Sequence, residues 1–264
     1  MAFVLTDLDS LICAFEADSI AGLSDGDDVT AWSDASVNGV DLAAASGEEP
    51  TYVASAVNSL PAVHFDGTAS RMYSSVTAPT NGVANMGCAV IASLDTKKNY
   101  NMFFAFDTVG PASSYQRRSL WGHSGNDIYQ YSSGGYTRTV SDFTTAYKMG
   151  AWIDGQHGHC GNVDGRSTAL IFGSPTGTHG ADWRITLGNA SGLSSSFLDG
   201  KIAALIIWDE TILGERAHIE GYLADKYAIT LPTDHPFYSG PPTSNPGAAG
   251  GGLLRVAMNG GMNG

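Results

Sequence analysis

The segment from Trp121 to Tyr131 gathers the side chains that hold sugars: Trp121, His123, Asn126, Asp127, Tyr129 and Tyr131. Aromatic faces stack on sugar rings, while carboxylates, amides and imidazoles bond hydroxyl groups. In an extended strand Tyr129 and Tyr131 share one face, with Ile128 and Gln130 on the other. The two tyrosines therefore face either a ligand or a core or subunit interface. Trp183 beside Asp182 forms a second grouping of this kind, whereas Trp32, Trp152 and Trp208 stand in strongly patterned strands and read as core.

Other reactive residues are less well placed. Cys160 follows His157 and His159 in one loop, a spacing too tight for a nucleophile aligned with its base and without an orienting acid. As a metal set the trio lacks a fourth ligand, which His179 would supply only through the fold. Ser124 in Gly122-His123-Ser124-Gly125 is half of a nucleophile elbow in the wrong setting. Cys13 and Cys88 lie in apolar alternating runs and read as buried thiols. Asp25, Asp27 and Asp28 are close enough to contribute to a calcium site, and an acidic surface turn explains them equally well. Asp66, Asp154, Asp164 and Asp199 each precede glycine and read first as turn formers. The chain has no phosphate loop, no Gly-x-Gly-x-x-Gly unit and no His-Glu-x-x-His.

Composition sets the class. Among 264 residues, 26 acidic against 13 basic give a net charge of -13, which argues against nucleic acid and anionic membrane as partners. No apolar window is long enough to span a bilayer, and Met1 to Asp7 carries no basic stretch, so a secretory signal is not expected. Only 15% of residues are charged and 33 are glycine, a balance that suits a turn-rich β protein.

About ten strands can be read from period-two patterning, among them Leu11–Glu16, the unit Leu60–Gly67, Gly87–Leu94, Asn101–Phe106 and Gly200–Trp208. The last is the longest apolar run and calls for cover on both faces. Ser132-Ser133-Gly134-Gly135 reads as the loop of a hairpin. Ile219, Tyr222, Leu223, Lys226 and Tyr227 follow helical spacing in a segment beginning at Thr211 or Leu213. The expected plan is all-β: a short lead (1–9), a jelly-roll β-sandwich with one C-terminal amphipathic helix (10–231), and an extended Pro/Gly-rich tail (232–264). In that tail Phe237, Tyr238, Leu253, Leu254, Arg255, Val256 and Met258 are candidate assembly contacts.

Trp32-Ser33-Asp34, Asn38-Gly39, Pro50-Thr51-Tyr52 and Leu60–Gly67, with Phe197–Asp209 and the helix ending Gly221–Tyr227, resemble the concanavalin A-like (laminin-G-like) sandwiches of tailed-phage virion proteins. That resemblance implies a structural protein on the surface of a viral particle, such as a capsid decoration or a tail- or fibre-associated protein. Its partners would be further copies of itself, for example a trimer, and other virion proteins. The alternative it implies is a carbohydrate-binding module that adheres to cell-surface glycan. No cofactor is expected beyond calcium, which family members carry at the sandwich rim. Sugar-cleaving relatives use paired carboxylates, and retaining cleavage needs them about 5–5.5 Å apart. The six glutamates, Glu16, Glu48, Glu49, Glu210, Glu215 and Glu220, form no such set, so catalysis is not expected.

Overall fold

The computed structural model describes residues 3–80, 83, 86–96, 98, 101–107, 118–122, 127–132, 135–140, 148–154, 159–163, 166–171, 183–189, 195–209 and 215–244, with strands between 107 and 171 described through their backbone. The early strands are β1 (Leu11–Glu16), β2 (Ala31–Trp32), β3 (Leu42–Ala43), β4 (Thr51–Val57), β5 (Leu60–Asp66) and β6 (Met72–Ser74). The middle holds β7 (Met86–Leu94), β8 (Asn101–Asp107), β9 (Arg118–Gly122), β10 (Asp127–Ser132) and β11 (Gly135–Val140). Then come β12 (Lys148–Asp154), β13 (His159–Val163), β14 (Arg166–Ile171), β15 (Arg184–Leu187), β16 (Asp199–Asp209) and one helix, α1 (Glu215–Lys226).

Two antiparallel sheets result. The first runs β14-β13-β12-β7-β16-β5-β4, with β1 also on β16, and the second runs β11-β10-β9-β8-β15-β6-β3-β2. This is the all-β sandwich with a single C-terminal helix that the patterning predicts, of jelly-roll type. Between the sheets lie Phe15, Trp32, Phe65, Met72, Val90, Phe103, Phe106, Ile185 and Leu205, all in one apolar cluster. Full burial of each contributes on the order of 2–3 kcal/mol.

The first sheet is covered on both faces. Along β7, Cys88, Val90, Ala92 and Leu94 enter the inter-sheet core, while Ala89 and Ile91 enter a second cluster under α1. Strand β16 divides in the same way: Leu205 and Ile207 face inward, Ile206 and Trp208 outward, after a register shift between Ile202 and Ala204. On the helix, Ile219, Leu223 and Ala224 meet that outer face, and Tyr227 just beyond donates its hydroxyl to the Ala203 carbonyl at 3.1 Å. Phe3, Leu5 and Leu8 of the lead complete the cluster.

Helix α1 is tied down at its C-terminal end. Lys226 Nζ reaches Glu16 Oε1 and Asp18 Oδ2, each at 2.9 Å, and the Tyr222 hydroxyl donates to Glu16 at 2.9 Å. Burial opposes the charge of Lys226, but the two carboxylates outweigh it and hold its pKa above the usual lysine value. The carboxylates Glu16 and Asp18 thus anchor the helix. Beyond it the chain folds back: His235 Nε2 contacts Glu220 Oε2 at 3.0 Å, and the His218 and Phe237 rings lie 4.7 Å apart. Phe237 is therefore packed on the chain's own helix, where a Cβ at Gly221 would lie 2.8 Å from it, and Tyr238 is half exposed. Residues 211–214, where the helix was expected to start, and Leu253, Leu254, Arg255, Val256 and Met258 lie outside the described residues. Among the described residues no helix is long and apolar enough to cross a membrane.

Candidate functional site

The sugar-type residues fall on the hairpin β10–β11 and its neighbour β9. Trp121 sits directly opposite Tyr129, and Tyr131 opposite Ser119. Across the hairpin, Tyr129 faces Arg138 and Tyr131 faces Tyr136. Residues opposite one another occupy the same face of a sheet, so Trp121, Tyr129, Tyr131, Tyr136 and Arg138 share one face.

The neighbouring strands identify that face. Phe104 and Phe106 of β8 and Ile185 and Leu187 of β15 belong to the inter-sheet core, and Leu120 is opposite Phe104. Alternation then puts Ser119 and Trp121 on the face turned away from the first sheet. Trp121 is opposite Met102, which is buried but outside the inter-sheet cluster. Further along this outer face, the Arg184 guanidinium stands 5.1 Å from the centre of the Tyr73 ring. Tyr136 and Arg138 were missed in the sequence, although the hairpin loop fixes their register: Ser132 pairs with Gly135, and the opposite residues follow. Asp127 takes the same alternating face as Tyr129. His123 and Asn126 lie outside the described residues. Trp183 is a correction: it is buried in the inter-sheet core, held there as Thr80 Oγ1 accepts its backbone N–H at 3.1 Å.

A second polar grouping lies on the outer face of the first sheet, at the end away from α1. Register aligns Thr51, His64, Lys201 and Ser93 in one row across β4, β5, β16 and β7. His64 Nε2 lies 2.9 Å from Asp95 Oδ2, and the other oxygen of Asp95 accepts from Lys201. Thr51 Oγ1 lies 3.3 Å from His64 Nδ1. Lys98 Nζ contacts Asp199 Oδ2 at 2.9 Å and the Gly67 carbonyl at 3.3 Å. A nitrogen of His64 and carboxylate oxygens of Asp95 and Asp199 all lie within 4.8 Å of one another. Asp199 is thus a strand residue, paired with Asp66 across β16 and β5, and not the turn former its following glycine suggested.

Asp66 does form its turn. Its Oδ1 accepts the backbone N–H groups of Thr68, Ala69 and Ser70, and its Oδ2 the Thr68 hydroxyl. Partial burial pushes its pKa up, but these four donors outweigh that and hold the carboxyl well below the usual range. A depressed folded-state pKa adds stability above the unfolded value of about 3.9, lost as pH falls toward the folded value. The stability gap between the native chain and Asp66→Asn is therefore expected to be full at pH 6 and to shrink below about pH 4. Urea titrations at a series of pH values check this; a gap that widens on acidification refutes it.

Asp25 and Asp27 are also engaged by backbone donors, Asp27 within its own turn and Asp25 across to β4. Asp25 Oδ1 accepts the N–H of Ala54 at 2.9 Å, and Asp27 Oδ2 that of Ser24 at 2.7 Å. Asp28 pairs with Thr51 through its backbone. Cys13 and Cys88 are buried thiols outside any disulfide, and burial, with Asp34 and Cys88 nearby, raises the Cys13 pKa well above its ordinary value.

No protein-family model matches the sequence, and none of the curated proteins matches it either. Solved structures do match by shape. A Trypanosoma rangeli sialidase in complex with sialic acid aligns with a TM-score of 0.53 at 13% identity, over 77% of this chain and 31% of that one. The binding domain of botulinum neurotoxin serotype D aligns with a TM-score of 0.56 at 11% identity, over 82% of this chain and 52% of that one. This chain thus spans about a third of the sialidase and half of the toxin domain. At such identities the likeness is one of fold: a two-sheet, lectin-like jelly-roll sandwich.

Proposed function

We propose that the protein is a carbohydrate-binding module without catalysis, and that it holds glycan on the outer face of its second sheet. The observation that carries this reading is the register that sets Trp121 opposite Tyr129 and brings Tyr131, Tyr136 and Arg138 onto the same face. Several aromatic residues in adjacent rows offer stacking surfaces for successive sugar rings, and Arg138 and Asp127 add a donor and an acceptor for hydroxyls. The sandwich shape shared with a sialidase solved with sialic acid supports a sugar ligand. An assembly role on a viral particle would rest on the half-exposed Tyr238 and on the chain beyond Ser244, which lies outside the described residues, while Phe237 packs on α1.

The test is a glycan array probed with the full chain, followed by titration of the best ligand against Trp121→Ala and Tyr129→Ala. Each variant is expected to weaken binding at least about tenfold, the equivalent of about 1.4 kcal/mol, with unchanged far-UV circular dichroism. A native chain that binds no glycan, or variants that bind as well as it does, would overturn the reading.

A further inference from the structure

We propose that His64, Asp95 and Asp199 form a binding site for a divalent transition metal, with zinc as the best match. The site lies on the opposite sheet from the aromatic face and does not depend on the glycan reading. Three features of the geometry carry it.

The first is the donor set. One imidazole nitrogen and two carboxylate oxygens within 4.8 Å of one another come from β5, the end of β7 and the start of β16, three adjacent strands. A nitrogen with two oxygens suits zinc, whereas calcium selects oxygen alone.

Second, the donors are held in place from behind. Asp199 N–H donates to Asn101 Oδ1 at 3.0 Å, and Asp95 N–H donates to the Asp199 carbonyl at 2.9 Å, which locks the two backbones together. Thr51 Oγ1 stands at His64 Nδ1, where a histidine that binds metal through Nε2 needs an acceptor for its remaining proton.

Third, cations already sit against these oxygens. The ammonium of Lys98 bridges Asp199 and the Gly67 carbonyl, and that of Lys201 meets Asp95. Two carboxylates and two ammonium groups balance, so a metal ion enters by displacing a lysine. Lys98, on a side chain that is 40% exposed, is the one free to leave. The lysines then act as competitors that set the affinity.

Calorimetric titration of the full chain with zinc chloride at pH 7.5 tests this. One equivalent is expected to disappear in His64→Gln and in Asp199→Asn. Lys98→Met should instead tighten the same equivalent by about tenfold, because a competitor is gone; loss of folding cannot produce that gain. Zinc carried elsewhere, for example by His157 or His159, would persist in His64→Gln. Zinc binding that is absent from the native chain, or unchanged in His64→Gln and Lys98→Met, overturns the proposal.

Discussion

Replacing Gly188 with alanine is expected to cost about 3 kcal/mol and to lower the thermal midpoint by about 6–12 °C. Gly188 ends β15 with φ +80°, a conformation costly for any residue with a Cβ. An added methyl would also stand 2.4 Å from Cδ1 of Phe65, which is fully buried, and 2.9 Å from the Ser70 carbonyl. Neither neighbour can yield: Phe65 is inside the inter-sheet core, and Ser70 closes the Asp66 turn. Gly188 also donates its N–H to Phe103 and accepts from Leu198, so a shift there disturbs both β8 and the entry to β16. Gly22→Ala isolates the backbone contribution, because Gly22 has φ +81° and nothing within 4 Å of the added atom. Calorimetry of the two variants should show Gly22→Ala losing about 1 kcal/mol and Gly188→Ala clearly more. Equal losses would mean that Phe65 gives way.

The consequences for function run through the sheet. Strand β15 joins β8 to β6, and so connects the aromatic hairpin side of the second sheet with Tyr73. Arg184 at the start of β15 leans over Tyr73 on the outer face. A displacement at Gly188 is therefore expected to reach the proposed glycan face through β15 and β8.

What could be read from the sequence follows from how many faces each strand buries. The runs that became β7 and β16 are apolar at nearly every position because both faces are covered, and they stood out at once. In β5, Val63 and Phe65 turn inward and His64 outward, as their alternation indicated. Strand β4 hid because its pairing with β5 slips between Val53 and Val57, which breaks the period. β3 is two residues long, too short for any pattern, whereas Trp32 of the equally short β2 was read as core and is fully buried. At the level of sites, the aromatic face was half legible: neighbours along one strand can be seen, but Tyr136 and Arg138 required the hairpin register. The His64, Asp95 and Asp199 grouping was illegible, since three strands far apart in the chain must pair before it exists. Its one local cue, Asp before Gly at Asp199, pointed to a turn.

The segment from Trp32-Ser33-Asp34 to Gly39 carries the second large effect. Asp34→Ala is expected to destabilise the chain by about 3–4 kcal/mol, because two buried donors lose their acceptor at about 1–3 kcal/mol each. Asp34 Oδ1 accepts the N–H groups of Ala14 (2.8 Å) and Ser36 (2.9 Å), and Oδ2 accepts the Val40 N–H (3.0 Å) and the Ser36 hydroxyl (2.6 Å). Ala14 and Val40 are both fully buried while Asp34 is partly exposed, so water replaces the carboxylate only in part. The same loop covers the open side of β1. Ala35 N–H donates to the Ala14 carbonyl, and Asn38 Nδ2 to the carbonyls of Leu11 and Ile12. One aspartate thus organises the loop that keeps an edge strand from pairing with another chain. Asp34→Asn keeps one oxygen but turns an amide NH2 toward a donor, so it should fall between the native chain and Asp34→Ala. Urea midpoints would establish that order, and hydrogen exchange at the Ala14 amide would show whether the edge opens. An Asp34→Ala loss below about 1 kcal/mol would mean that the neighbouring Asn38 contacts alone hold the loop, and the assignment of the edge cap to Asp34 would fail.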